Sequence, residues 1–103
     1  MSLWEILVPT HFNDGMEIPI EHHKEWDCQI RLIAGGLTIL KSAKGQWISG
    51  DGVLFSEGMI PVRIACPEAE MRRIGFMTLC HYKQQKVMFY KISDEVYILP
   101  EKP

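Results

Sequence analysis

The tetrapeptide Ser49-Gly50-Asp51-Gly52 limits the folds open to this chain more than any other stretch. Two glycines and an aspartate between apolar runs favour a tight reversal between antiparallel strands. Gln46-Trp47-Ile48 leads into it, and Val53 to Ile64 leads out. Leu37 to Leu40 reads as the start of the incoming strand, with polar Lys41 to Gly45 as a bulge. Pro61 has no N–H to give to a ladder, so it predicts a bulge or an unpaired stretch in the outgoing strand. A further interruption is expected near Glu57-Gly58.

Helical patterns flank this hairpin on both sides. Pro19 suits the first position of a helix, where its missing N–H costs nothing. Ile20, His23, Trp26 or Asp27, Ile30 and Ile33 or Ala34 then recur at helical spacing and predict one apolar stripe. Gly35-Gly36 ends it. Downstream, Cys66-Pro67-Glu68-Ala69-Glu70 opens a second helix, with two acids at its positive end. Met71, Ile74, Gly75 and Thr78 share a face, with Met77 and His81 at its margin, and Gln84-Gln85 closes the helix. Glycine in mid-helix costs about 1 kcal/mol relative to alanine, so Gly75 predicts close packing of helix on sheet.

The outer segments are strands. Leu3 to Thr10 is apolar except for Glu5, and Asn13-Asp14-Gly15 is a turn signal in the connection that follows. Val87 to Ile92 reads as the last strand. Ser93-Asp94 then turns into a short arm over Val96 to Leu99 and a tail over Pro100 to Pro103. The order is β-α-β-β-α-β, a ferredoxin-like unit of the α+β class, with an antiparallel sheet and two helices on one face. A length of 103 residues fits one domain, 1-103.

The strands are apolar on both faces. Trp4, Ile6 and Val8 alternate with Leu3 and Leu7, and Val87 and Phe89 alternate with Met88 and Tyr90. Two helices cover only one face, so the other is expected to meet a second subunit in a homo-oligomer, a dimer or a trimer. The formal net charge is -2 and the eleven Lys and Arg are scattered, which argues against a nucleic-acid partner. No apolar run approaches the ~20 residues that span a membrane, and the N-terminus lacks a signal-peptide pattern. Three cysteines, Cys28, Cys66 and Cys80, form an odd set without C-x-x-C spacing. They predict reduced, buried thiols and a cytoplasmic location.

Candidate chemistry gathers at the hairpin. Glu57 lies in an apolar strand without a charge partner nearby; it is either a strand-edge carboxylate in water or a group held for a cationic ligand. Trp47 lies across the hairpin and serves either as packing or as a stacking surface. An indole and a carboxylate together can hold a cation. Gln84 and Gln85 meet solvent, cap carbonyls or bind a polar ligand, and Tyr82 lies one turn earlier. His22 and His23 are adjacent and point roughly 100° apart on a helix. His23 and Asp27, at i and i+4, form at most half of a metal site, and His11 and His81 have no partner at ligand spacing. Structural or exposed histidines, and no metal, are the expectation. No phosphate loop or hydrolase motif is present.

Two resemblances follow from these residues. Gly36-Leu37-Thr38, Gly45-Gln46-Trp47, Glu57, Tyr82, Gln85 and Val87 resemble the spaced pattern of a family of small uncharacterised bacterial and phage domains. More loosely, Val62-Arg63, Cys66, Gln84 or Gln85, Val87 and Tyr90-Lys91 are similar to the C-terminal half of the phage S-adenosylmethionine lyases, compact ferredoxin-like trimers. Their essential glutamate lies on the strand after the hairpin, as Glu57 does. Trp47 stands where they carry an active-site tyrosine, and tryptophan has no hydroxyl to offer. The resemblance implies a cofactor-free lyase with Glu57 as the catalytic residue. Gln46, Trp47, Tyr82, Gln84 and Gln85 would bind the ligand at a subunit interface. The alternatives are a non-catalytic oligomeric module that binds a small molecule or a host protein, and a metal-dependent dimeric barrel enzyme.

Overall fold

The computed structural model describes residues 1–100. Along the chain run β1 (Ser2–Pro9), α1 (Ile20–Ala34), β2 (Thr38–Ile39), β3 (Ala43–Ile48), β4 (Leu54–Cys66), α2 (Glu68–His81) and β5 (Phe89–Ser93). All pairings are antiparallel. The sheet order is β2-β4-β1-β5, and β3 joins the same edge of β4 further along. Among the described residues no helix is long and apolar enough to cross a membrane. Residues 101–103 of the expected tail lie outside the described residues.

The hairpin closes as its glycines require. Ser49 N–H donates to the Val53 carbonyl at 2.9 Å, and Gly52 sits at φ 84°, in the left-handed region that a side chain disfavours. The incoming strand is broken, as its polar stretch suggests, into β2 and β3. The outgoing strand is not. β4 runs through Glu57-Gly58 and pairs with β1 in unbroken register from Pro9↔Met59 to Ser2↔Cys66. The gap between β2 and β3 explains how Pro61 is accommodated. Leu40 N–H donates to the Pro61 carbonyl at 2.9 Å. N and C=O of one strand residue point the same way, so the proline nitrogen faces the break, where no ladder partner is needed.

One face of the sheet carries Trp4, Ile6, Val8, Val62, Ile64 and Cys66, which pack with Trp26, Ile30, Met71 and Ile74 of the helices. Each such side chain taken from water stabilises the fold by about 1.5–3 kcal/mol. The indole N–H groups are satisfied inside: Trp4 Nε1 donates to the Cys66 carbonyl at 2.9 Å and Trp26 Nε1 to Thr78 Oγ1 at 3.0 Å. Gly75 does what its position predicts. A Cβ there would lie 2.8 Å from Phe89 Cε1, so the ring of β5 packs against the bare helix backbone.

Several expectations need correction. Ile20 is 60% exposed and outside the α1 stripe, which buries Trp26 and Ile30, because a first-turn residue still projects beyond the sheet. α2 ends at His81, so Gln84 and Gln85 lie in the turn that follows instead of closing the helix. The last strand begins at Phe89, and Val96 to Leu99 forms no strand. All three cysteines are free, but only Cys66 is buried; Cys28 and Cys80 fall on the outer faces of their helices. Burial pushes the Cys66 thiol up to about 11, with the nearby Glu70 adding to it.

Candidate functional site

The uncovered face of the sheet begins from the alternation of β1. Leu3, Glu5 and Leu7 point away from the helices and pair with Ala65, Arg63 and Pro61 of β4. Glu5 is the one charge in an apolar strand, and it is held by two partners. Arg63 Nε donates to it at 3.1 Å from one side, and the Tyr90 hydroxyl donates from β5 on the other. The Tyr90 hydrogen bond, helped by Arg63 and opposed by desolvation, holds the Glu5 carboxyl below its usual range. The same bond raises Tyr90. A lone acid in an apolar strand was the available signal for this cluster, because such a group needs a partner on the next strand.

Beyond it, β3 and β4 project as a hairpin. Trp47 pairs with Phe55, their rings stacked with centroids 6.3 Å apart at 17°. Glu57 pairs with Gly45, two residues from Phe55 and so on the same face. Both Trp47 and Phe55 remain nearly half exposed, at 47% and 46%, so the pair does not belong to the chain's own core. Glu57 is exposed and, among the described residues, makes no ion pair.

Next to this hairpin opens a cavity of about 510 Å³. Trp47, Glu57, Gly58 and Met59 form the hairpin side. Leu7 and Pro9 come from β1, and Gln84, Lys86, Val87, Met88 and Phe89 come from the turn into β5. The volume lies in the ~300–1,000 Å³ range of small-molecule sites, and the lining is mostly apolar with a few polar groups. Three of the six sequence candidates thus meet: Trp47, Glu57 and Gln84. The other three do not line the cavity. Gln46 points its amide to Ser56 Oγ at 3.1 Å. Gln85 is exposed outside it. Tyr82 is fully buried under α1, its hydroxyl hydrogen-bonded with His23 Nδ1 at 2.7 Å. Burial raises the Tyr82 phenol and lowers His23. Lys86 was overlooked because a lone lysine in a turn carries no sequence signal.

The turn is placed by short local contacts. Lys83 takes a positive φ of 54°, and Gln84 N–H donates back to the Leu79 carbonyl at 3.0 Å. Gln84 Nε2 then donates to the Tyr82 carbonyl at 3.1 Å, which holds the side chain near the cavity rim. Leu7 N–H donates to the Met88 carbonyl at 3.0 Å and ties the cavity wall to β1.

No family model matches this sequence, and no curated protein does. Solved structures do share its fold. A phage SAM lyase in complex with S-methyl-5'-thioadenosine superposes with a TM-score of 0.64 at 18% identity, covering 93% of this chain and 92% of that one. CutA1 from Oryza sativa gives 0.69 at 11% identity over 95% of this chain and 83% of its own. The periplasmic divalent cation tolerance protein CutA from Archaeoglobus fulgidus gives 0.67 at 9% identity, over 95% and 87%. At these identities the likeness establishes the ferredoxin-like α+β architecture, which the phage lyase and the CutA proteins have in common.

Proposed function

We propose that this chain is an oligomeric lyase acting on S-adenosylmethionine, with the substrate in the Trp47–Glu57–Gln84 cavity and a neighbouring subunit closing it. The observation that carries the reading is the cavity itself. It collects a carboxylate, an indole face and an amide from distant parts of the chain, on a scaffold shared with a phage SAM lyase bound to S-methyl-5'-thioadenosine. S-adenosylmethionine carries a sulfonium, an ammonium, a carboxylate and an adenine. Glu57 balances the sulfonium or fixes the ammonium, Trp47 stacks on the adenine, and Gln84 reads a polar edge. Lys86 faces the substrate carboxylate.

The reaction needs no activated water. The substrate's own carboxylate oxygen attacks the side-chain carbon that bears the sulfonium. A C–O bond forms, the C–S bond breaks, and its electron pair stays on sulfur. The products are homoserine lactone and the neutral thioether methylthioadenosine. The protein supplies orientation, worth up to about 7–11 kcal/mol in well-aligned intramolecular reactions. A partner subunit over the exposed hairpin excludes water and strengthens the pull of Glu57 on the cation. Three free thiols suit a reducing compartment, the cytoplasm.

A second reading is a non-catalytic oligomeric binding module. Trp47 favours it, since an indole cannot replace a catalytic hydroxyl, and so does the comparable likeness to CutA1 proteins. Calorimetric titration tests the binding that the lyase reading requires. Wild type should bind the cationic substrate more tightly than neutral methylthioadenosine, and Glu57→Gln should erase the difference. Absence of heat with either compound would remove this cavity as their site.

A further inference from the structure

The histidines, set aside from sequence, come together at the far ends of the two helices. His22 lies in the first turn of α1 and His81 is the last residue of α2. Their rings stack with centroids 3.9 Å apart at 22°. Each ring is tied to the other's backbone: His22 Nε2 to the His81 carbonyl at 2.6 Å, and His81 Nε2 to the His22 carbonyl at 2.7 Å. A carbonyl only accepts, so both Nε2 atoms carry a proton, and Nδ1 is the atom each ring has left to offer a metal. Glu25, three residues beyond His22, projects from the same side of α1. One nitrogen of each ring and one Glu25 oxygen lie within 4.8 Å of one another.

We propose that His22, Glu25 and His81 form a binding site for a divalent transition metal of the zinc class, independent of the cavity at the hairpin. Two imidazoles and one carboxylate are a donor set that zinc accepts, and that magnesium, which prefers oxygen, does not. Ligand atoms in a tetrahedral site with bonds of about 2.0–2.1 Å stand roughly 3.3 Å apart, so a small rotation of the side chains closes the set. The Nε2–H to carbonyl bonds are the outer contacts that fix tautomer and orientation in histidine metal sites, and here both rings already have them. Both histidines are half-buried while Glu25 is exposed, which leaves a coordination position open to water or to a ligand. Bound there, the ion links the start of α1 to the end of α2.

Exposed Cys28 and Cys80 could contribute adventitious thiol ligands, so the test uses the Cys28→Ser/Cys80→Ser protein. After chelator treatment it is titrated with zinc chloride against a chromophoric competitor, with magnesium chloride as control. The expected result is one zinc per chain, a higher melting temperature with zinc than without, and no response to magnesium. His22→Ala and His81→Ala should each weaken zinc binding by more than the ~10–100-fold typical of losing an outer-shell partner. Glu25→Gln, at an exposed position where folding is safe, should weaken it while the zinc-free melt stays unchanged. No stoichiometric zinc, or zinc affinity that survives both His81→Ala and Glu25→Gln, would overturn the proposal.

Discussion

Glu5 is the residue whose surroundings most constrain its behaviour. Its side chain is only 11% exposed, yet it is ionised between Arg63 and Tyr90 on the uncovered sheet face. Tyr90→Phe removes one donor and leaves the carboxylate under-satisfied, so it should cost about 1–2 kcal/mol in a denaturant melt. The pH dependence follows in sign. The folded-state value lies below the ordinary 4.5, with the Tyr90 hydrogen bond as the main cause. Its contribution is therefore full above 4.5 and is lost as pH falls through the lowered folded value. Stability of wild type should drop in that acid window, and Tyr90→Phe should flatten the drop. Glu57 behaves in the opposite way. It is exposed and unpaired among the described residues, so Glu57→Gln should leave the thermal melt within about 0.5 kcal/mol of wild type. A large loss there would make Glu57 a structural residue.

Among the elements, α2 and β5 meet through Gly75 and Phe89. An alanine at 75 gains about 1 kcal/mol of helix propensity, but its methyl enters the space of a ring already packed against Trp4 at 6.2 Å. The clash should win, and Gly75→Ala should destabilise by about 1–2 kcal/mol in a denaturant melt. That contact was legible in the sequence, because a helix glycine on the apolar face has few other uses. The element order and the hairpin were legible for the same reason: period and turn chemistry are local. What the sequence concealed depends on contacts across the chain. His22 and His81 are 59 residues apart, and no spacing rule joins them. Tyr82 looked like a ligand residue one turn before the glutamines. Its ring is instead the plug between His23 and Trp26, since α2 stops one residue before it. Of the bulge or unpaired stretch that Pro61 predicts, the structure has the unpaired stretch, at the break between β2 and β3 that polar Lys41 to Gly45 marks.

At the scale of the molecule, the sheet is covered by helices on one side, and on the other it presents Leu3, Leu7, Met59, Pro61 and Met88 around the Glu5 cluster. On the same face the hairpin adds Trp47 and Phe55, each nearly half exposed. An apolar area of this extent is expected to meet another copy. Sedimentation at low micromolar concentration should show more than one subunit, and a clean monomer would leave the cavity open and the proposed water exclusion without a source. The central claim, however, is chemical. The most direct measurement is mass-spectrometric product analysis after incubating the assembled protein with S-adenosylmethionine. Methylthioadenosine and homoserine lactone are expected in equal amounts. The rate in Glu57→Gln should be lowered by roughly 30- to 1,000-fold, the equivalent of about 2–4 kcal/mol of transition-state stabilisation. Substrate recovered intact from the wild-type protein, or equal rates in the two proteins, would contradict the lyase reading.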